Sequence, residues 1–463
     1  MTAESVASDL SLVHGWPPIA MQAVAAVVLV LAVGWRSRRW WTVWVPVAVV
    51  VGVTAALAVR WYIGHQGWTG DPPPFLLWLW VGLTGLAIAV LLLGWRGTRW
   101  GHRVVSVLAI PLSLVCALVV VNQWLEYLPT AGAVWDRVTG APLTRQTDQA
   151  GVSEMQRQGV APAKGTIVSV TIPDDASGFK HREELVYLPP AWYASNPPPR
   201  LPVVVMIHAE FGHPTDWLVG GKALEALDDF AAAHGGVAPV AVFADSSGTF
   251  SNDTECVNGP RGNAADHITK DVVPYMITNF GVSNDPASWG IVGWSSGGTC
   301  AVTLTVKYPE LFSAFVDIDG QKGPYAGTDE QTMARLFGGD AEAWADFDPR
   351  TIMARHGRYT GVAGWFAVSH ETPTVYRDGS ADINAELPPE LDAETNVLNP
   401  AATANYMCEL ASVHGIACSV VANAGKHDFN NAGATFAAAL PWLGGRLGTP
   451  GVPRIPLPGA AAG

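Results

Sequence analysis

Five residues, Gly293-Trp294-Ser295-Ser296-Gly297, set a serine hydroxyl between glycines at both two-residue offsets. The β-branched run Ser288 to Val292 leads into them and the amphipathic run Cys300 to Lys307 leads out. In that strand, turn, helix setting such a serine is held in a strained backbone, and side chains at 293 or 297 would strike the neighbouring strand and helix. Ser296 lacks the second glycine, so Ser295 is the candidate nucleophile and the backbone N–H of Ser296 is the expected half of an oxyanion hole. An alcohol attacks a carbonyl only when a base takes its proton. His427, in Ala424-Gly-Lys-His-Asp-Phe429, follows the predicted strand Ile416 to Val421 and precedes the last helical pattern, where that base belongs. His414, at a helix end, and His370, directly after an earlier strand, are less well placed.

A carboxylate must orient the imidazole, and the chain order serine, acid, histidine puts it between 295 and 427. The predicted strand Gly364 to Ser369 is followed by an acid-rich insertion holding Glu371, Asp378, Asp382, Glu386, Glu390, Asp392 and Glu394. Glu371 is nearest the strand end. Glu394 lies ahead of the helix Pro400 to His414 and is slightly favoured, with Glu371 left open beside it. The second oxyanion donor is expected from Val203-Val-Val-Met-Ile-His-Ala-Glu-Phe-Gly212, as the backbone N–H of Glu210 with its side chain incidental. His208, at the end of that strand, is expected to prop the loop.

These residues need a scaffold. Short β-branched runs at Thr166–Ile172, Glu183–Tyr187, Leu201–Ile207, Val240–Ala244, Ser288–Val292, Phe312–Ile318, Gly364–Ser369 and Ile416–Val421 alternate with helical patterns. That alternation predicts an α/β domain over 165–447, a mostly parallel central sheet flanked by helices. Residues 125–164 read as a linker, and 448–463, rich in Pro, Gly and Ala, as a flexible tail.

The chain has 463 residues, 49% hydrophobic and only 14% charged, which excludes disorder and is too apolar for an ordinary soluble protein. Four uncharged apolar runs, Pro18 to Gly34, Trp41 to Val59, Phe75 to Gly94 and Val104 to Val121, each approach the ~20 residues that cross a bilayer as a helix. They predict a four-span transmembrane anchor over 1–124. Twelve of the 20 Trp precede Glu126, as an interfacial aromatic belt requires. The first and third loops carry six Arg and the second only one, so loops one and three face the cytoplasm and everything after the fourth span lies outside the cytoplasmic membrane. A cleaved signal peptide is not expected, because Met1 to Trp16 lacks a basic start. No span holds an ionisable residue, which argues against transport.

Beyond Trp124 the chain carries 37 acidic against 20 basic residues and no basic run, so nucleic acid is not an expected partner. Four of five cysteines, Cys256, Cys300, Cys408 and Cys418, lie in this outer part, which suits disulfides. Cys408 and Cys418 flank a predicted helix end and the next strand, and this leaves Cys256 for Cys300. No zinc-type Cys spacing occurs, so neither a metal nor a cofactor is expected.

Together the motifs resemble the esterase D group of α/β-hydrolases and, within it, the secreted mycolyltransferases of mycobacteria and related actinobacteria. The resemblance covers about Val168 to Leu447. It rests on Met206-Ile-His-Ala-Glu-Phe-Gly212, Phe243-Ala-Asp-Ser-Ser-Gly-Thr-Phe-Ser-Asn-Asp253, Gly293-Trp-Ser-Ser-Gly297, Trp365-Phe-Ala-Val-Ser-His-Glu-Thr-Pro373 and Gly425-Lys-His-Asp-Phe429. It implies an α/β-hydrolase fold, Ser295 as nucleophile, His427 as base, the amides of Glu210 and Ser296 as oxyanion donors, and a displaced Glu as acid, which favours Glu394. It also implies an acyl ester substrate, in this setting a lipid or glycolipid. The four-span anchor and the long acidic insertion depart from the family pattern. The alternative expectation is a retired hydrolase domain that binds envelope lipid or glycan without turnover.

Overall fold

The computed structural model describes residues 10–67, 72–96, 98–159 and 161–460, apart from the side chains of Ala393 and Glu394. Residues 1–9, 68–71 and 461–463, which entered the orientation and tail expectations, lie outside the described residues. The chain divides into two compact units, Met1–Ala141 and Pro142–Gly463.

The first unit holds four helices long and apolar enough to cross a membrane: α1 (Trp16–Val33), α2 (Trp40–Gln66), α3 (Phe75–Gly94) and α4 (Trp100–Leu125). Their apolar side chains point outward as well as inward. Val30 is 70% exposed and Leu92 71%, which suits contact with hydrocarbon and would be costly in water. Small residues bring α2 and α3 together. A Cβ on Gly52 would lie 2.5 Å from the Gly82 carbonyl oxygen, and one on Gly85 2.9 Å from the Ala55 side chain. Arg36, just past α1, donates to the carbonyls of Ala32 and Gly94 at 2.9 and 3.0 Å, satisfying acceptors that two helix ends leave open. Ser11 pairs with Thr130 in an antiparallel bridge, with Leu12 donating to Pro129 and Ala131 to Leu10. Thr130 then caps α5 (Ala131–Thr139), accepting from the Ala133 N–H.

The second unit is built on a ten-stranded sheet. In chain order its elements include β1 (Gln146–Thr147), α6 (Gln149–Gln158), β2 (Thr166–Val170), β3 (Glu184–Leu188), β4 (Val203–Ile207), α7 (Ala223–Ala233), β5 (Val240–Ala244) and α8 (Val273–Phe280). Then follow β6 (Trp289–Trp294), α9 (Ser296–Lys307), β7 (Ala314–Ile318), α10 (Asp329–Phe337), α11 (Ala341–Ala345), α12 (Pro349–His356), β8 (Ala363–Val368), β9 (Val375–Arg377), α13 (Ala393–Leu398), α14 (Pro400–Val413), β10 (Ala417–Ala422) and α15 (Phe429–Arg446). The spatial order is β1-β2-β3-β5-β4-β6-β7-β8-β10-β9, with β5, β4, β6, β7, β8 and β10 parallel. Strands β4 to β8 are buried along their whole length, as helices on both faces require. The chain leaves β4 to one side for β5 and returns on its other side as β6. The crevice at the C-terminal ends of β4 and β6 is therefore a topological switch point, where α/β folds place their ligands.

Two boundaries differ from expectation. The residues read as a linker split between the units: α5 belongs to the first, while β1 joins the sheet edge by pairing Gln146 with Ile167 and Thr147 with Val168. The residues read as a loose tail are packed as far as they are described. Thr449 and Leu457 are buried, and the Pro458 carbonyl accepts from the Ser419 hydroxyl at 2.7 Å. Proline and glycine marked an irregular backbone there, and side-chain burial holds it in place. The cysteines pair as Cys256–Cys300 and Cys408–Cys418, and Cys116 is free and buried in α4.

Candidate active site

Ser295 closes the turn from β6 to α9 with φ 58° and ψ −123°, a left-handed conformation rare for a residue with a side chain. Its neighbours make that strain possible. A Cβ on Gly293 would collide with the Gly297 carbonyl, and one on Gly297 would lie 2.5 Å from the Ile207 carbonyl oxygen at the end of β4. The Ser295 N–H donates to the Ile318 carbonyl at 2.8 Å, fixing the turn to the end of β7. The N-terminus of α9 thus abuts β4, and one small polar cavity there is lined by Glu210 and Ser296 together, the residues whose amides were expected to act as a pair.

His427 lies on the loop between β10 and α15. Asp428 caps α15 by accepting from the Asn431 N–H at 2.8 Å, and Asn431 in turn donates to Asn423 at 2.7 Å, so the loop is pinned on both sides of the histidine. Its ring sits 4.9 Å from that of Trp294, the residue before Ser295. Trp294 also packs edge-on against Phe429 at 4.5 Å.

The carboxylate beside His427 is Asp319, which the sequence reading passed over. Its Oδ2 lies 3.4 Å from His427 Nδ1, and its side chain is fully buried. Asp319 directly follows β7, at φ 52°, with its N–H donating to the Ala367 carbonyl at 2.8 Å and its Oδ1 accepting from the Ser369 N–H at 2.7 Å. This carboxylate thus comes from the end of the strand beside β6 and is locked to β8. Of the expected carboxylates, Glu371 is exposed, and the side chain of Glu394 lies outside the described residues. The missed signal was Asp317-Ile-Asp-Gly320, two acids at the end of a fully buried strand. Asp317 is buried as well, and burial together with nearby Asp319 pushes its carboxyl well above the usual range despite a hydrogen bond from the Gly320 N–H.

Behind the β4 loop sits a buried ionic support. Arg182 donates from its backbone, Nε and Nη2 to Asp245 at 2.7, 2.9 and 2.6 Å, and His208 Nε2 lies 3.2 Å from the same carboxylate. Burial would raise the Asp245 pKa, but Arg182 and His208 overcome it and hold the carboxylate far below its ordinary value. His208 therefore props the loop through Asp245.

The Glu210 side chain sits among other acids. Burial and the neighbouring Asp253 push its carboxyl well above the ordinary range, against the pull of Arg261. Glu255, raised by burial and by both acids, lines the same cavity, and the Cys256–Cys300 disulfide ties its loop to α9. Among the described residues one further grouping has metal-ligand chemistry, His181, Glu184 and His267. Both ring nitrogens of each histidine already face oxygen atoms: Arg182 and Ile172 carbonyls for His181, Glu184 and Asp271 for His267. His267 thus bridges Glu184 and Asp271 in the interior.

Residues 180–357 match the family model Esterase, described as "Putative esterase". An uncharacterized protein of Corynebacterium glutamicum is 29% identical over 358 residues, which cover 74% of this chain and 80% of that protein. Among solved structures, an S-formylglutathione hydrolase from Agrobacterium tumefaciens is similar with a TM-score of 0.45 and 18% identity, over 62% of this chain and 97% of its own. MPT51 of Mycobacterium tuberculosis is similar with a TM-score of 0.39 and 16% identity, over 60% of this chain and 99% of its own. The family match takes in β6, the Ser295 turn, β7 and Asp319. The glycine-flanked Ser295 lies inside the residues that match the esterase model, on a mostly parallel sheet flanked by helices.

Proposed function

We propose that this protein is a membrane-anchored esterase or acyltransferase whose hydrolase unit works outside the cytoplasmic membrane on acyl esters of lipid or glycolipid type. Ser295 Oγ attacks the ester carbonyl while His427 takes its proton. The amides of Glu210 and Ser296 hold the oxyanion, and the C–O bond to the alcohol breaks as His427 returns the proton to the leaving oxygen. Water or a sugar hydroxyl then attacks the acyl-enzyme, gives its proton to His427, and releases the acyl group while Ser295 regains its hydrogen. Asp319 holds the imidazole and stabilises its charged form.

One observation carries the reading: the 3.4 Å approach of Asp319 to His427, on the residue next to the one whose carbonyl fixes the Ser295 turn. The anchor reading rests on four helices long and apolar enough to cross a membrane. A fluorophosphonate probe is expected to label the full-length protein and to leave Ser295→Ala unlabelled, with ester turnover falling roughly a million-fold. Equal labelling of both proteins would refute the nucleophile.

A further inference from the structure

Helix α5 (Ala131–Thr139) has nine residues and buries none of them. Helices this short are marginal in water and draw their stability from packing an apolar face. Such a face is present. At about 100° per residue, Val134, Val138, Ala131 and Trp135 fall within one arc of about 100°, with Asp136, Arg137 and Thr139 outside it. Trp135 is 68% exposed and Val138 76%, so the face is bare where it is most apolar.

Hydrogen bonds hold α5 at one end of the four long helices. Asn122, in the last turn of α4, accepts from the Leu128 N–H and donates to the Leu128 carbonyl, both at 2.8 Å, which folds the chain back three residues before α5 begins. The Ala131 N–H donates to the Leu10 carbonyl at 2.9 Å, and Gln123 donates to the Val13 carbonyl at 3.1 Å. The start of α5 and the end of α4 are thereby tied to the segment that leads into α1. Trp80 donates to Gln22 at 3.3 Å and Gln22 to Gln123 at 3.4 Å, so the first two turns of α1 and α3 meet the last turn of α4. Arg60, over the Trp78 ring at 5.7 Å, brings in the last two turns of α2. This same end carries exposed Trp16, Trp61 and Phe75. Exposed aromatic rings at one level of an apolar bundle mark the boundary between hydrocarbon and headgroups, and α5 starts at that level.

We infer that α5 is an interfacial helix, lying along the membrane surface with Val134, Trp135 and Val138 set into the boundary between headgroups and acyl chains and with Asp136 and Arg137 toward water. The occupant of its apolar face is lipid. Four side chains fall far short of the ~800 Å² per partner that a stable protein interface buries, whereas a helix of this kind needs to sink only about 5–10 Å into a leaflet. The inference rests on the membrane-anchor reading and adds to the four spans a lipid contact that does not cross.

The test uses the full-length protein in nanodiscs. Cys116→Ala removes the free thiol, the other four cysteines being paired. In that background Val138→Cys, Trp135→Cys, Asp136→Cys and, as a marker of the spans, Leu114→Cys in α4 are each labelled with a nitrobenzoxadiazole fluorophore. Quenching is read with lipids spin-labelled near the headgroup or deep in the acyl chain, and with iodide in the water. The labels at 135 and 138 are expected to be quenched best by the shallow lipid label and at least threefold less by iodide than the label at 136, with the label at 114 quenched best by the deep one. Equal iodide quenching at 135, 136 and 138, with lipid quenching at 114, would overturn the interfacial helix and spare the anchor. Labels at 135 and 138 shielded from lipid and iodide alike would overturn it in favour of a protein covering the face. No lipid quenching at 114 would refute the anchor, and the interfacial helix with it.

Discussion

The two units use apolar residues in opposite senses. In the first, Val30, Val50 and Leu92 are more than 60% exposed, polar contacts gather at helix ends such as that of Arg36, and helices approach through glycine. In the second, β4 to β8 are buried throughout, and buried charges such as Arg182 and Asp245 pair with one another. The difference is the one that two solvents would impose. Were hydrocarbon the surroundings of the first unit, exposure of valine would cost nothing and specificity would come from backbone approach. Where water is, apolar burial supplies stability and buried polar groups supply position.

The sharpest way to break this contrast is at the site. Asp319→Asn is expected to lower kcat by about ten-thousand-fold, through loss of the imidazole's orientation and charge support, with nanodisc assembly unaffected. Glu371→Gln and Glu394→Gln are expected to stay within a fewfold of the parent. A collapse of ester turnover in Glu394→Gln with Asp319→Asn active would reverse the assignment.

Next in size is the buried pair. Arg182→Ala leaves Asp245 charged without its main partner, and a loss of ~3–5 kcal/mol is expected in denaturant melts of the hydrolase unit. A loss below 1 kcal/mol would mean that His208 alone satisfies Asp245. In the first unit, Gly85→Leu places bulk against Ala55 at a close helix contact, and a destabilisation of ~1–3 kcal/mol is expected from overpacking. Steric-trap unfolding of α2 from α3 would read it, with hydrolysis unchanged. An equal loss from Leu92→Ala, on the exposed face, would contradict the packing described.

The smallest effect is one of pH. Burial alone would lower the His267 pKa, but hydrogen bonds to Glu184 and Asp271 outweigh it and raise the value above ordinary histidine. The stability this adds is complete below about pH 6.5, the unfolded value, and is lost as pH rises through the raised folded one. The melting temperature of the hydrolase unit should fall across that window and do so less in His267→Gln. Parallel profiles for the two proteins would remove His267 as the source.

Much of this was legible in the chain, for reasons that separate local from non-local determinants. The four long apolar helices show because each is a continuous apolar run of bilayer length within one segment. The Ser295 turn shows because Gly293 and Gly297 answer steric demands within five residues. The cysteine pairs showed through elimination among four. The carboxylate beside His427 did not show, because its place depends on which strand end reaches His427. That is set by the register of β7 against β8 and by the Asp319 to Ala367 hydrogen bond, neither of which leaves a mark in local sequence. The cluster of acidic residues after Ser369 drew attention by number, whereas what matters at such a site is one carboxylate that is buried and held. Thr449 and Leu457 make the same point at the C-terminal end, where proline and glycine hid a fixed path.

The bridge between Ser11 and Thr130 has a topological meaning of its own. Residues that touch share one aqueous compartment, so a chain threading a bilayer between them must do so an even number of times. That parity rules out arrangements with three or five crossings whatever the distribution of arginine.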